Sequence, residues 1–274
     1  MERALYPEVL ALGKFKTGLP GSRRFTKLLG MSVQTIAGSA ELTLDPAIFQ
    51  NDTGHYLFVA QLLLNASVNS SVLVEIKPTS GQPWTKEALP YWAFLDVEGG
   101  AGNNSTARWI LKEPFPVPPG AAFDIRLFNR TASSLTALLG LSGYIETEPA
   151  YTRPRLSPYV IGQAGFSIAP NVEGRLEEAK LYPSVPFEAE KFSVRATTAA
   201  DADIGLRVRF GVKGRPRVVE GPIPIGLYQE TNTRGINLYG MKLGAQEGFQ
   251  VDLQNVDAAN TFTVDATIRG YRIL

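Results

Sequence analysis

The chain has 274 residues, 44% hydrophobic and 19% charged, with 27 Lys+Arg against 26 Asp+Glu, one histidine and no cysteine. That is enough apolar material for a packed core and too little charge for a chain solvated by its own ionic groups. It excludes disulfides, thiolate metal sites, a cysteine nucleophile and a histidine-rich metal site, and the net charge of +1 argues against a broadly basic nucleic-acid binder.

Residues 1–30 read as an arm. Arg3, Lys14, Lys16, Arg23, Arg24 and Lys27 are interleaved with Tyr6, Leu10, Leu12, Phe15 and Phe25, and Gly18, Pro20 and Gly21 break any regular element. Such a segment cannot bury its apolar groups alone. It is expected to order on a neighbouring subunit, with Tyr6, Phe15, Arg23 and Arg24 among its contacts. Glu2 and the lack of a long apolar run give no secretory signal. The run Tyr56–Leu64 falls far short of the ~20 residues of a spanning helix. The chain is therefore expected to be made and folded in a reducing cytosol, with no membrane segment.

From Met31 the pattern is β. Met31–Ile36, Ala40–Leu44, Tyr56–Leu64, Ser71–Lys77, Ala107–Lys112, Ala121–Phe128 and Ser134–Ile145 are short runs rich in β-branched and aromatic residues, separated by Gly-, Asn- and Ser-rich turns. Glu146–Pro158, with three prolines, reads as an extended linker. A second series follows at Phe192–Thr198, Ile204–Val212, Arg217–Glu220, Ile236–Leu243, Phe249–Gln254 and Thr261–Ile273. Short helices are expected only at Trp84–Leu89 and Arg175–Leu181. The fold class is all-β: an arm at 1–30, a β-sandwich at 31–146, a proline-rich linker at 147–160 and a second β-sandwich at 161–274.

An internal repeat joins the two sandwiches. Phe123, Ile125 and Leu127 alternate with polar residues up to Asn129, and Phe249, Val251 and Leu253 do the same up to Asn255. The strands that follow end in Gly143-Tyr144 and Gly270-Tyr271. The offset is 126 positions before the turn and 127 after it, so the second turn is one residue longer. The alternation marks one buried face per strand, and each Asn suits the start of a turn.

Little in the chain carries chemistry. His55 lies in a polar turn, no Gly-x-Ser-x-Gly elbow or phosphate-binding glycine loop is present, and Val97–Gly102 precedes Asn103 rather than a helix. Asp201/Asp203 and Glu177/Glu178 do not rise above ordinary surface acids. No catalytic residue, cofactor or metal ligand is assigned; calcium held by loop carboxylates stays open. Trp84, Tyr91, Trp92 and Phe94, with Trp109 downstream, form an aromatic cluster with two readings: core packing, or an exposed platform that stacks on a sugar or anchors a partner. The Trp84–Phe94 stretch has no evident counterpart in the second half.

Val117–Phe128 (VPPGAAFDIRLF), Asn129 and the terminal strand ending Gly143-Tyr144 resemble phage virion structural proteins built from tandem β-sandwich, jelly-roll-like domains. Tandem sandwiches also resemble the double jelly-roll shell proteins of membrane-containing viruses. The resemblance implies a non-enzymatic virion protein, as capsid decoration, cement or minor shell protein, contacting its own copies and other shell proteins. A major capsid role is one alternative. The other is a carbohydrate- or receptor-binding module that uses Trp84, Tyr91, Trp92 and Trp109 on a glycan.

Overall fold

The computed structural model describes residues 24–66, 71–94, 107–147, 155–196, 205–228 and 235–274. They form sixteen strands. The first eight are β1 (Arg24–Ile36), β2 (Glu41–Thr43), β3 (Tyr56–Ala66), β4 (Val72–Pro78), β5 (Leu89–Pro90), β6 (Ala107–Val117), β7 (Phe123–Asn129) and β8 (Leu135–Glu146). The second eight are β9 (Leu156–Ile168), β10 (Glu173–Arg175), β11 (Phe187–Ala196), β12 (Leu206–Val212), β13 (Arg217–Pro224), β14 (Ile236–Leu243), β15 (Phe249–Asn255) and β16 (Phe262–Ile273).

The sheets have the orders β1-β8-β3-β6 and β2-β7-β4-β5 in the first half, and β9-β16-β11-β14 and β10-β15-β12-β13 in the second. Adding eight to each label of the first pair gives the second. The pairings between these strands are antiparallel. Two four-stranded sheets in this order make an eight-stranded jelly roll, so the chain is two jelly rolls in tandem. Four-residue 3-10 turns also recur in place, after the second strand at Pro46–Phe49 and Glu178–Leu181, and after the fifth at Tyr91–Phe94 and Ile225–Tyr228. The Tyr91–Phe94 part of the Trp84–Phe94 stretch thus has a positional counterpart.

Strands β4, β7 and β15 bury every second residue, as a sheet with one wet face requires. Phe123, Ile125, Leu127, Phe249, Val251 and Leu253 are all buried, the first three in the first core and the last three in the second. Each core lies between its two sheets.

Three repeated details fix the sandwiches. Asn129 donates through Nδ2 to the carbonyls of Ala37 (2.9 Å) and Ser133 (2.8 Å), while Oδ1 accepts from the Thr131 amide. Asn255 donates to Ala169 (3.0 Å) and Asn260 (2.8 Å), and its Oδ1 accepts from the Asp257 amide. Each Asn therefore clips the last hairpin to the end of the first strand. Beside each clip the chain turns through a left-handed residue, Ser39 (φ 52°) and Asn171 (φ 54°). Finally, β3 is bulged between Val59 and Gln61, and β11 between Ala189 and Lys191. The bulges press the carbonyls of Phe58 and Glu188 towards Gly143 and Gly270, where a Cβ would stand 2.0 and 2.1 Å from the respective oxygen. Only glycine fits there, which accounts for the repeated Gly-Tyr.

Three expectations are corrected. The arm is shorter than 1–30: β1 begins at Arg24, whose backbone pairs with Glu146, and Phe25 pairs with Ile145, so residues 24–30 belong to the chain's own sheet. Tyr6, Phe15 and Arg23 lie outside the described residues. The linker also ends early, because β9 starts at Leu156 and includes Pro158 opposite Tyr271. An edge strand tolerates a proline where it owes no amide to a neighbour. Finally, Trp84–Leu89 is not helical; its Thr85 bridges in parallel to Val160.

Candidate functional site

The built feature of this molecule is the seam between the two sandwiches. Register places it. In β16, Phe262, Val264, Ala266 and Ile268 belong to the second core, so Asp265, Thr267, Arg269 and Tyr271 point out of the other side of the sheet. Those four are buried as well. What covers them is the first sandwich: the segment at Trp84–Glu87, the 3-10 turn at Tyr91–Phe94, strand β6 and the turn after β7.

Tyr271 enters the first core. Its ring lies 5.9 Å from that of Trp109, and its hydroxyl accepts from the Lys112 amide at 2.8 Å. Arg269 lies over the Trp109 ring at 5.1 Å and Arg195 over Trp92 at 4.6 Å. Val160 of β9 also belongs to the first core, and its amide donates to the Trp84 carbonyl at 2.8 Å. Its neighbours Tyr159 and Ile161 belong to the second core.

Charge is matched across the seam. Arg130 meets the fully buried carboxylate of Asp265 with two nitrogens, at 2.9 and 2.6 Å, and the Gly165 amide adds a third donor at 2.8 Å. Lys112 pairs with Glu188 and lies 3.6 Å from Glu190. Burial pulls the Lys112 ammonium down, but those two carboxylates more than offset it and hold the group above its ordinary value. Lys180 reaches Glu87 at 3.6 Å. Burial raises the Glu87 carboxyl against the pull of that lysine. Glu113 accepts the amides of Arg155 (2.9 Å) and Leu156 (3.1 Å), tying down the start of β9.

The aromatic cluster belongs to this packing. Trp84, Tyr91, Trp92 and Trp109 are all buried. The Trp84 ring stands edge-on to Trp109, Phe115 and Phe123 at 6.3, 5.3 and 5.4 Å. None of the four presents an open face, so the sugar-platform reading is corrected: the rings are core and seam. Arg24 lies at the start of β1. His55 is exposed, with its carbonyl accepting from Asn51 Nδ2 at 2.9 Å. Among the described residues no group of three or more His, Asp or Glu side chains converges as a metal site, and no helix is long and apolar enough to cross a membrane.

Sequence reasoning missed Arg130, Asp265 and Arg269. Asp265 and Arg269 read as the wet side of β16 and Arg130 as a turn residue, so the sequence carries no signal for them.

Fold and seam together define a tandem jelly-roll protein whose two sandwiches pack face to edge. No family model matches the chain, and no curated protein matches it. Solved structures do. The major capsid protein P2 from bacteriophage PM2 is similar at 10% identity, with a TM-score of 0.45 over 90% of this chain and 98% of that one. A PBCV-1 virus capsid model is similar at 8% identity and TM-score 0.41, over 91% and 94%. An F-lectin from striped bass (Morone saxatilis) serum is similar at 10% identity and TM-score 0.24, over 88% and 86%.

Proposed function

We propose that this chain is a non-enzymatic structural protein of a virus particle, a shell or capsid-decoration protein that works by contacts with its own copies and with neighbouring shell proteins. One observation carries the reading. The seam is heterologous: the outer sheet face of the second sandwich is capped by an edge and a turn of the first. Both sandwiches have one strand order, so the same contact can be repeated between chains. The surfaces offered for it are the β1 and β6 margins of the outer side of β1-β8-β3-β6, whose centre at Gln61, Leu63 and Ser142 is buried, and the β14 side of the second sandwich. Heterologous contacts that repeat build closed rings or open filaments.

The exposed margins of that face carry apolar residues. Leu28 pairs with Ser142, Val33 with Leu138 and Ile110 with Gln61, which puts all three on the outer side with Tyr144, the counterpart of Tyr271. Leu28, Val33 and Ile110 are exposed, and Tyr144 stacks on Phe58 at 5.4 Å. A contiguous exposed apolar patch marks a docking surface, and these three residues are the ones offered for it.

Light scattering on the full chain tests this. Self-association that Leu28→Glu/Val33→Glu abolishes, with an unchanged circular dichroism spectrum, is the expected result. A chain that stays monomeric at all concentrations and binds a glycan saturably would overturn the reading in favour of a carbohydrate-binding module.

A further inference from the structure

The outer face of β10-β15-β12-β13, on the side of the second sandwich away from the seam, holds a cleft of about 430 Å³. Four arginines line it: Arg175, Arg207, Arg209 and Arg217. Register puts Arg175 and Arg209 on either side of Asp252, and Arg207 opposite Gln254. Asp252 is already saturated. It takes Arg175 Nε at 2.6 Å and Arg217 at 3.1 Å, and Gln250 Nε2 adds a bond at 3.1 Å. The cleft's other carboxylate, Glu173, accepts from Gln254 at 3.1 Å.

Arg207 and Arg209 are left over. Among the described residues neither has an ion pair, and the Nε of each is buried without an acceptor. Four guanidiniums against two carboxylates leave a charge of +2 on the described lining.

The excess does not come with the fold. At the matching places of the first sandwich, Leu73 stands opposite Phe128 and Glu75 opposite Arg126. Arg126 there lies 3.6 to 3.9 Å from Glu41, Glu75 and Asp124, so the charge is answered within the chain. Like charges gathered without counter-charge oppose folding unless an anion joins them.

We propose that this cleft binds a divalent oxyanion, a phosphate group either free or carried on a larger molecule. Guanidiniums match the tetrahedral oxygens in two-point hydrogen bonds, and two negative charges neutralise the excess. Among the described residues no aromatic ring lines the cleft. Recognition is therefore of the phosphate, not of a base attached to it. The site is independent of the assembly reading above.

Calorimetric titration of the full chain with inorganic phosphate, at fixed ionic strength, tests it. Saturable binding is expected, falling at least tenfold in Arg207→Gln/Arg209→Gln, falling less in Arg207→Lys/Arg209→Lys, and unchanged in Arg126→Gln on the first sandwich. Circular dichroism checks that each variant is folded; if the double variant is not, Arg207→Gln alone gives the reading. Co-sedimentation with phosphatidic acid vesicles, against phosphatidylcholine alone, separates the sources: binding identifies a lipid headgroup, and its absence beside retained phosphate binding identifies a soluble phosphate. No saturable heat from the wild type, or equal affinity in the folded Arg207→Gln/Arg209→Gln variant, would overturn the proposal.

Discussion

Arg130 and Asp265, 135 positions apart in the chain, form a two-point ion pair across the seam, with the carboxylate wholly buried and the guanidinium mostly so. Removing one partner strands the other in a low-dielectric interior. Arg130→Met is expected to cost about 3 kcal/mol, at the low end for buried pairs because Arg130 keeps some water. Arg130→Met/Asp265→Asn should recover much of that loss. Urea unfolding of the two variants checks both statements; a single variant within about 0.5 kcal/mol of wild type would contradict them.

Gly143 and Gly270 should be intolerant of any side chain. Each faces a bulge carbonyl too close for a Cβ, so Gly143→Ala and Gly270→Ala must each displace backbone. A loss of about 1–3 kcal/mol or more is expected for each. Gly54→Ala is the control, since nothing lies within 4 Å of a Cβ there, and it should fall within about 0.5 kcal/mol of wild type. Equal melting temperatures for all three variants would show that the bulges relax freely.

The Asn clips make a matched pair of tests. Asn129→Ala and Asn255→Ala each leave carbonyls of the first strand's end without their donor. Each should cost about 1–3 kcal/mol, the range for orphaning buried polar groups. Similar losses from two sites 126 residues apart would be read directly in denaturant midpoints. A large loss at one and none at the other would mean that the two clips do different work.

Much of this fold could be read from the sequence where a strand has one wet face. β7 and β15 alternate, so their burial and their correspondence were legible, as was the turn role of Asn129 and Asn255. β9 was not. Its first residues, up to Pro158, read as linker, and both faces of the strand are covered, which erases alternation. The seam was illegible for a related reason. Asp265, Thr267 and Arg269 look like the exposed side of an ordinary strand, and only the tertiary arrangement buries them. The aromatic cluster was located correctly, but its exposure depends on what the second sandwich does to the first, which no local pattern reports.

Acid should weaken the fold. Asp52 is held below the ordinary carboxylate range by Lys27, Glu178 by Lys213, Glu247 by the Gly244 amide and then Arg215, and Asp257 by the amides of Ala259 and Asn260. For a lowered carboxylate the contribution to stability is complete above its unfolded value, about pH 4. It is lost as pH falls through the folded one. Glu87, raised by burial, runs the other way and partly offsets the others. Denaturant midpoints are therefore expected to hold from pH 7 to about pH 5 and decline below about pH 4. A midpoint that rises on acidification to pH 3 would contradict this balance.

Val160 sits in one core while Tyr159 and Ile161 sit in the other. One strand thus serves as a shared wall, and neither half can be taken away without opening its neighbour. A chain nicked in the 148–154 connection would keep both halves bound, as complementing fragments do. Either half made alone would carry an apolar wound in place of the missing one. The smallest piece that can be exchanged, transplanted or recombined between proteins of this architecture is therefore the pair of sandwiches, not the single sandwich.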